Sequence, residues 1–272
     1  MSDKIKLLLE TGIKLAGTAT KEGIKLIPGG GLVVAGAEVI GAVAESILGD
    51  VTNRALSQRE QIRVGASAIL ALNKVNELKG KGHLIREDDR FFAYNENYRS
   101  SAEEALEGVL QKCKAEHEEK KIPYLSNIFA KAVFTSISME EINHVIKIAD
   151  ILTYRQLCIL AVIRKNQDND LQLRAKPNSS ISGSFALLEV LDLDKNGLLH
   201  QITSERNFGM MELTREEFKE LQSKKNYSAI LDSDDITPAG LILSELGRLV
   251  YRLMILDEIP EYELIDVIKA FK

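Results

Sequence analysis

The residues from Asp192 to Gly197 combine carboxylates, an amide and a glycine in the order that opens a calcium-binding EF-hand loop. Such loops place ligands at positions 1, 3 and 5 ahead of a turn glycine, and a bidentate glutamate at position 12 completes the site. In this chain position 12 is Thr203, and Glu205 comes two residues late. The pattern therefore favours a helix end with an asparagine–glycine turn into a strand over a calcium site.

Glu141 and His144 are a second candidate for metal binding. They are three residues apart, as are the glutamate and histidine that ligate a di-iron centre from one helix face. Such a centre needs another pair of this kind and further glutamates, and the sequence offers no second pair. His144 is therefore expected at the surface. Because phosphate-binding, dinucleotide-binding and serine-nucleophile motifs are also missing from the sequence, it predicts no catalytic residue, no cofactor and no metal.

The charged and aromatic segment at 85–99 is the strongest candidate for a functional loop. It has no helical period and many turn-forming residues, and loops of this kind often carry function. One interpretation is a solvated loop; the other is an acid–base site that the fold assembles with Arg59 and Glu60. The candidate loop residues are Glu87, Asp88, Asp89, Arg90, Phe91 and Phe92.

The run of charges from Glu116 to Lys121 also admits two interpretations. It most simply fits a solvated face near the end of a long helix, with lysines where the helix dipole favours them. The alternative is a buried ion network with Arg59, Glu60 and Arg63 of the preceding helix.

Capping signals predict the helices that must position these groups. A serine or threonine followed three residues later by glutamate or glutamine marks a helix start. Such signals predict a charged helical bundle over residues 51–166, in which Ser100 or Ser101 opens a helix that runs to Lys121. The capping boxes are Ser57 with Glu60, Ser138 with Glu141 and Thr153 with Gln156.

An 11-residue offset relates two copies of the tetrapeptide Gly-Ile-Lys-Leu, at 12–15 and 23–26. Eleven residues return a helix to nearly the same face, so the repeat predicts one amphipathic helix, from Lys4 to Ile27, with a lysine-rich polar face. Such a helix either packs on its own protein or lies on an anionic membrane surface. The candidate membrane-binding residues are Lys4, Ile13, Lys14, Lys21, Ile24 and Lys25.

The small-residue segment from Gly31 to Leu48 is predicted to form a second helix, which completes a helical hairpin over residues 1–50. Glu38 and Glu45 would be costly in hydrocarbon. The expectation is therefore either a tightly packed soluble hairpin or membrane insertion that depends on a trigger. The predicted hinge residues are Pro28, Gly29 and Gly30.

A polar linker from Asn166 to Ser182 separates the bundle from a last module, residues 180–272. The module's order of a helix, an asparagine–glycine turn, two strands and a closing helix resembles a winged helix. Its first helix, Phe185 to Leu191, carries Glu189 and no lysine or arginine. A structural or partner-binding role is therefore favoured over DNA reading.

The C-terminal module contains the segments Gly197-Leu-Leu, Thr237-Pro and Leu243-Ser-Glu-Leu-Gly. Together with the order of hairpin, bundle and module, these residues resemble the helical proteins grouped as bacterial abortive-infection alpha. The resemblance covers roughly a quarter of the chain and includes no catalytic signature. It implies a bacterial or phage-linked protein that acts in phage exclusion.

Composition sets the remaining expectations. With 45% hydrophobic and 28% charged residues the chain is typical of a globular protein, and its net charge of −5 argues against nucleic-acid binding. Cys113 and Cys158 are too few for a disulfide framework and are expected as reduced core thiols of a cytosolic protein. The sequence thus predicts a mainly α-helical fold with a C-terminal winged-helix-like α+β module.

The predicted function is that of a non-enzymatic bacterial effector or interaction protein, cytoplasmic or peripheral at the inner membrane. Its predicted partners are an anionic membrane surface, bound conditionally, and either another protein or a second copy of itself. The alternatives are a winged-helix transcriptional regulator and an enzyme whose acidic and arginine residues are brought together by the fold.

Overall fold

A computed structural model describes only part of the chain. Within that part there are eight α-helices and four short strands, so the protein is mainly α-helical, as predicted. The described residues are 24–26, 32–34, 57–87, 90–93, 100–169, 171, 173, 181–201 and 240–272.

The helices are α1 (Gln58–Gly80), α2 (Ser101–Ala115), α3 (Ile122–Ala132), α4 (Met139–Ile151), α5 (Tyr154–Asn169), α6 (Ile181–Lys195), α7 (Glu245–Met254) and α8 (Glu261–Ala270). The strands are β1 (Ile24–Leu26), β2 (Leu32–Val34), β3 (Leu199–Gln201) and β4 (Leu241–Leu243). Single 3-10 turns lie at Glu119–Lys121 and Leu256–Glu258.

Reciprocal capping boxes begin the helices of the bundle where the sequence predicts them. Ser57, Ser100 and Ser138 each accept the backbone N–H of the glutamate three residues later, and that carboxylate accepts the serine's own N–H. Thr153 and Gln156 exchange the corresponding hydrogen bonds, of 2.9 and 3.1 Å, at the start of α5. These bonds involve neighbours in sequence alone, which is why local pattern was enough to locate them.

Contacts group the chain into two compact units, residues 1–157 with 248–258 and residues 158–247 with 259–272. In the first unit α1, α2 and α3 pack against one another. Asn127 of α3 donates a buried hydrogen bond of 3.0 Å to the carbonyl oxygen of Met254. The domain boundaries expected from sequence at 50 and at 166–180 remain predictions.

Helix α2 ends at Ala115, six residues before the predicted end at Lys121. Glu116 is extended, and the chain resumes as a 3-10 turn that leads into α3, with Pro123 in the first helical turn. Proline is disfavoured inside a helix but fits its first turn, so a new helix begins there. The charged run therefore lies on a connection between helices rather than on a helix face.

The predicted N-terminal helices are wrong at β1 and β2. These segments form an antiparallel strand pair in which Lys25 lies opposite Val33. Both segments are rich in Ile, Leu and Val and flank a Pro-Gly-Gly sequence, a composition that favours paired strands around a turn. The hinge and the other membrane-binding candidates lie outside the described residues: Lys4, Ile13, Lys14, Lys21, Pro28, Gly29 and Gly30.

Among the described residues from 181 to 254, the elements follow in the order α6, β3, β4 and α7, and the contact grouping assigns α7 from Arg248 onward to the first unit. Strands β3 and β4 are antiparallel, with Leu199 opposite Leu243. The Oγ of Ser244 accepts the N–H of Gly247 at 2.9 Å, which caps α7, and donates to the carbonyl of Gly197 at 2.5 Å. This serine therefore joins the start of α7 to the turn that follows α6.

Candidate functional site

Buried charges are concentrated in the connection between α2 and α3. Glu116, Glu119 and Lys121 are each at most 6% exposed. A buried charge costs several kcal/mol unless it is paired and hydrogen-bonded, so the partners decide what this segment does. We call the following residues the α2–α3 ion network: Arg59, Arg63, Glu116, Glu118, Glu119 and Lys121.

Two arginines on one face of α1 hold Glu119. Arg59 pairs with one carboxylate oxygen, and the Nε of Arg63 donates to the other at 3.2 Å. The Nη1 of Arg63 also donates to the carbonyl oxygen of Lys114, at 3.3 Å, near the end of α2. The charged run thus forms the buried network with α1 that the sequence admitted as an alternative, and the solvated face is the wrong interpretation.

Lys121 and Glu118 join the connection to α4 and α5. Its Nζ lies 2.5 Å from Glu116 Oε2 and donates, at 3.4 Å, to the carbonyl oxygen of Asp150. The other oxygen of Glu116 accepts the N–H of Glu118 at 2.8 Å. Glu118 in turn accepts the N–H of Tyr154 at 3.0 Å, at the start of α5. The network therefore fixes four helices around one irregular segment.

Three consecutive residues of this segment, Glu116, His117 and Glu118, place metal-ligand atoms within 4.8 Å of one another. Both carboxylates already bind partners within the protein, since Glu116 pairs with Lys121 and Glu118 accepts the N–H of Tyr154. A cation would have to compete with a buried ammonium group for Glu116. The geometry is that of a structural clamp.

The candidate loop is divided between solvent and core. Phe91 and Phe92 are each 4% exposed and pack edge to face, with ring centroids 5.0 Å apart. Glu87 and Arg90 are exposed, and Arg90 has a positive φ of 59°. The two remaining candidates, Asp88 and Asp89, lie outside the described residues.

Arg86 is a residue that sequence reasoning missed. It is buried, and its Nη1 donates to the carbonyl oxygens of Ala132 and Ile137 at 3.3 and 3.0 Å. Its guanidinium carbon lies 4.4 Å from the centroid of the Phe91 ring. The last carbonyls of a helix have no partner within the helix, so Arg86 closes the end of α3 and anchors the loop. No local pattern separates this arginine from an exposed one.

The described residues do not assemble the acid–base site that the sequence admitted. Glu60 is engaged by Ser57 and lies 3.8 Å from the Nζ of Lys114, while Arg59 pairs with Glu119. In the part of the chain that the structure describes, neither forms a hydrogen bond or an ion pair with the exposed charges of the loop.

Cys113 lies where α1, α2 and α3 meet. Burial raises the pKa of its thiol to about 12, although hydrogen bonds with Ser67 and Ser126 act in the opposite direction. The two serine hydroxyls are 2.9 Å apart, and that of Ser126 donates to the carbonyl oxygen of Ile122. A thiol with so high a pKa is protonated at neutral pH and is not a nucleophile. Both cysteines are buried and free, as predicted.

The EF-hand-like residues form the end of α6. Gly197 has a φ of +70°, and its N–H donates to the carbonyl of Asp194 at 2.8 Å. The N–H of Leu198 donates to the carbonyl of Leu193 at 3.0 Å. Together these are the two hydrogen bonds of a Schellman helix cap. The predicted helix end and turn into a strand are confirmed.

The three-residue spacing of Glu141 and His144 is explained by the capping box at the start of α4. Glu141 is the capping partner of Ser138, whose backbone and side-chain hydrogen bonds lower the pKa of the Glu141 carboxyl. His144, one turn along α4, is exposed, as predicted.

Two helices of the second unit expose large apolar side chains. Phe185 and Leu188 of α6 are 59% and 57% exposed, and Tyr262 and Ile265 of α8 are 70% and 45% exposed. In each helix the two residues are three apart and so share a face. Helices α6 and α8 pack against each other. We call these four side chains the outer apolar residues.

The opposite face of each helix is also apolar and is buried. Val190 and Leu193 of α6 and Leu264 and Val267 of α8 are at most 4% exposed. A helix that packs one apolar face in its own core and presents a second to water differs from the usual surface helix. The sequence predicted an apolar helix here, yet it did not show which residues would face outward.

Among the described helices, none combines the length and the apolar character needed to cross a lipid bilayer. Comparisons with protein-family models, curated proteins and solved structures found no match for this chain.

Proposed function

We propose that this chain is a non-enzymatic interaction protein whose second unit binds a protein partner through the outer apolar residues. The observation that carries the proposal is the exposure of four large apolar side chains on two helices that pack together. Exposed apolar patches, such as the pair of side chains on each helix, mark interaction sites, because covering them is favourable by about 25 cal/mol for each Å² removed from water.

The α2–α3 ion network supports a non-enzymatic role. Its buried carboxylates, Glu116 and Glu119, form ion pairs with lysine and arginine side chains. These carboxylates are therefore already occupied and are poorly placed to act on a substrate. The Cys113 thiol is protonated and enclosed. Catalysis by an acidic and arginine site is therefore the weaker of the two candidate functions.

Residues 180–272 are proposed to form a winged-helix-like module that binds a protein partner rather than DNA. Support comes from the order α6, β3, β4 and α7 among the described residues of this segment and from the antiparallel pairing of β3 with β4. Helix α6 carries Glu189, Asp192 and Asp194 against a single lysine, Lys195. DNA-reading helices need basic groups near the phosphates, so a transcriptional regulator is disfavoured.

Site-specific photocrosslinking in the native cell tests the proposal. A benzophenone amino acid replaces Phe185 or Tyr262, and the control carries it at Leu84, which is 86% exposed in the first unit. The expected result is a discrete crosslinked protein from Phe185 and Tyr262 that is lost when Leu188→Asp is added. The same products from Leu84, or none from either helix, would contradict the proposal.

A second part of the proposal is conditional association with an anionic membrane through the lysine-rich segment at 4–25. Its support is the lysine-rich face that the sequence predicts for a helix ahead of β1. Each lysine near an anionic surface contributes about 1 kcal/mol, which added salt screens. Because β1 occupies Ile24–Leu26, the helical part of this segment would end before Ile24.

Liposome flotation tests this part. The full chain should float with vesicles that contain anionic lipid at low salt, and a chain that starts at Val51 should not. The triple variant Lys14→Glu, Lys21→Glu, Lys25→Glu should lose binding while it keeps its melting temperature. Equal binding by the full chain and the chain from Val51 would exclude the segment as the membrane anchor.

The proposed setting is a bacterial cell, where the C-terminal resemblance implies a role in phage exclusion. Plaque counts on a bacterial host with and without the intact gene test this setting. If the gene lowers the plaque count, and the variant with Phe185→Ser and Leu188→Ser restores the count, the phage role depends on the outer apolar residues. Equal counts across a broad phage panel would remove the phage role and leave the interaction proposal untouched.

A further inference from the structure

The exposed face of α8 carries opposite charges on either side of an apolar residue. Its exposed side chains are Glu261, Tyr262, Ile265, Asp266 and Lys269. Glu261 lies four residues before Ile265 and Lys269 four residues after it. At 1.5 Å per residue, the two charges lie about 6 Å on either side of Ile265 along the helix.

An antiparallel pair of α8 helices turns this order into a complementary contact. If a two-fold axis passes beside Ile265, residues at equal distances on either side of it face each other. Glu261 of one copy then faces Lys269 of the second copy, and the same pair repeats on the other side of the axis. The two Ile265 side chains meet at the centre, flanked by Tyr262 from each copy.

We propose that the partner bound by α8 is a second copy of this chain, in an antiparallel two-fold contact centred on Ile265. This inference rests on the proposed interaction function and names its partner. An isologous contact of this kind is the commonest way in which identical chains assemble, and it needs a surface complementary to itself. The face of α8 meets that requirement with one apolar centre and two oppositely charged ends.

The ion pairs within the chain do not oppose the contact strongly. Glu261 lies 3.1 Å from the Nζ of Lys165, and Lys269 lies 3.6 Å from Asp266. Exposed pairs of this kind contribute little to stability, so exchange for a partner across the interface costs little. The exposed apolar residues supply attraction, and the charges select the antiparallel register.

Sedimentation velocity of charge-reversed full-length chains tests the register. Glu261→Lys alone places lysine opposite lysine, and Lys269→Glu alone places glutamate opposite glutamate. Each variant should associate about tenfold more weakly than the natural chain, because two attractive pairs become repulsive ones. An equimolar mixture of the two variants should associate as tightly as the natural chain, since every opposed pair is again attractive. Tyr262→Ser with Ile265→Ser should also weaken association, and no charge change should rescue it.

The mixture separates the proposal from general damage to the fold, because two misfolded variants would not restore each other. A natural chain that stays monomeric at every concentration, or a mixture that associates no better than either variant alone, would overturn the inference. Those outcomes leave the proposed function standing if Phe185 still crosslinks to another protein in the cell. If no crosslinks form in the cell but the purified chain still self-associates, the proposed cellular interaction would be wrong and the dimer would stand.

Discussion

Lys121 illustrates how strongly a single side chain can depend on its partner. Its side chain is 2% exposed, and its ammonium group is balanced by Glu116 at 2.5 Å. Removing one member of a buried pair leaves the other charged and without compensation, which costs far more than the pair contributes as a whole.

Lys121→Ala should therefore lower the free energy of unfolding by about 3–5 kcal/mol. The matched control is Lys112→Ala, which removes an exposed pair with Asp150 and should cost less than about 1 kcal/mol. Urea unfolding measures both. The double variant Lys121→Met with Glu116→Gln should recover much of the loss, and equal losses for Lys121 and Lys112 would contradict the clamp.

Cys113 gives a second prediction at this scale. Because burial raises the pKa of its thiol to about 12, the group is protonated and enclosed under native conditions. Neither Cys113 nor Cys158 should react with a thiol reagent in the folded protein, and both should react in denaturant. Mass spectrometry after timed labelling measures this. Rapid native labelling of Cys113 at neutral pH would show that the thiol is accessible and ionised.

At the residue scale, the sequence predicts those features that near neighbours along the chain determine. The Asn196–Gly197 turn and the exposure of His144 follow from local pattern. The pairing of Glu119 with Arg59, by contrast, joins residues 60 positions apart, and the charge pattern alone favoured a solvated face. The burial of Arg86 depends on the end of α3, which the local sequence does not reveal.

At the scale of elements, helix starts were more predictable than helix ends. Capping boxes placed the starts of α1, α4 and α5, because the bonds that satisfy the first N–H groups come from residues within one turn. After the early end of α2, the connection forms hydrogen bonds with Asp150 and Tyr154, which lie on other elements. The strand pairing of β1 with β2 likewise overrides a helical period that the repeat made regular.

Gly247 allows close approach between the start of α7 and the turn after α6. A Cβ on this residue would lie 2.1 Å from the carbonyl oxygen of Leu198, so the backbone would have to move. Gly247→Ala should therefore lower the free energy of unfolding by roughly 1–3 kcal/mol.

Gly80→Ala is the matched control, because no heavy atom outside its own helical turns lies within 4 Å of the position that a Cβ would take, and alanine favours the helix. It should leave stability unchanged or raise it by up to about 1 kcal/mol. Thermal and urea unfolding compare the two variants. A neutral Gly247→Ala would mean that α7 does not approach Leu198 this closely.

The capping box of α4 predicts a pH dependence. Hydrogen bonds from Ser138 lower the pKa of Glu141 below its ordinary value of 4.5. A carboxyl whose pKa is lower in the folded than in the unfolded chain stabilises the fold above 4.5, and this stabilisation is lost as the pH falls through the lowered value.

Stability should thus decline in acid, and Glu141→Gln should make the decline less steep. Unfolding midpoints in urea measured from neutral pH into acid test this, with Glu140→Gln, outside the box, as the control. An unchanged slope for Glu141→Gln would contradict the assigned cause.

At the scale of the whole molecule, composition and capping predicted a mainly helical protein, and the described residues confirm it. The position of the candidate interaction surface could not be predicted, because α6 and α8 are apolar on two faces and sequence does not say which face is covered. Phe185 and Val190 look alike in the pattern, yet one is exposed and the other is buried.

The central claim is that protein covers the outer apolar residues in the cell. Hydroxyl-radical footprinting compares side-chain oxidation in cells with oxidation of dilute purified protein. The account predicts that Phe185, Leu188, Tyr262 and Ile265 are protected in the cell, while Leu84 is oxidised equally in both. Equal oxidation of all five side chains in the two settings would contradict it.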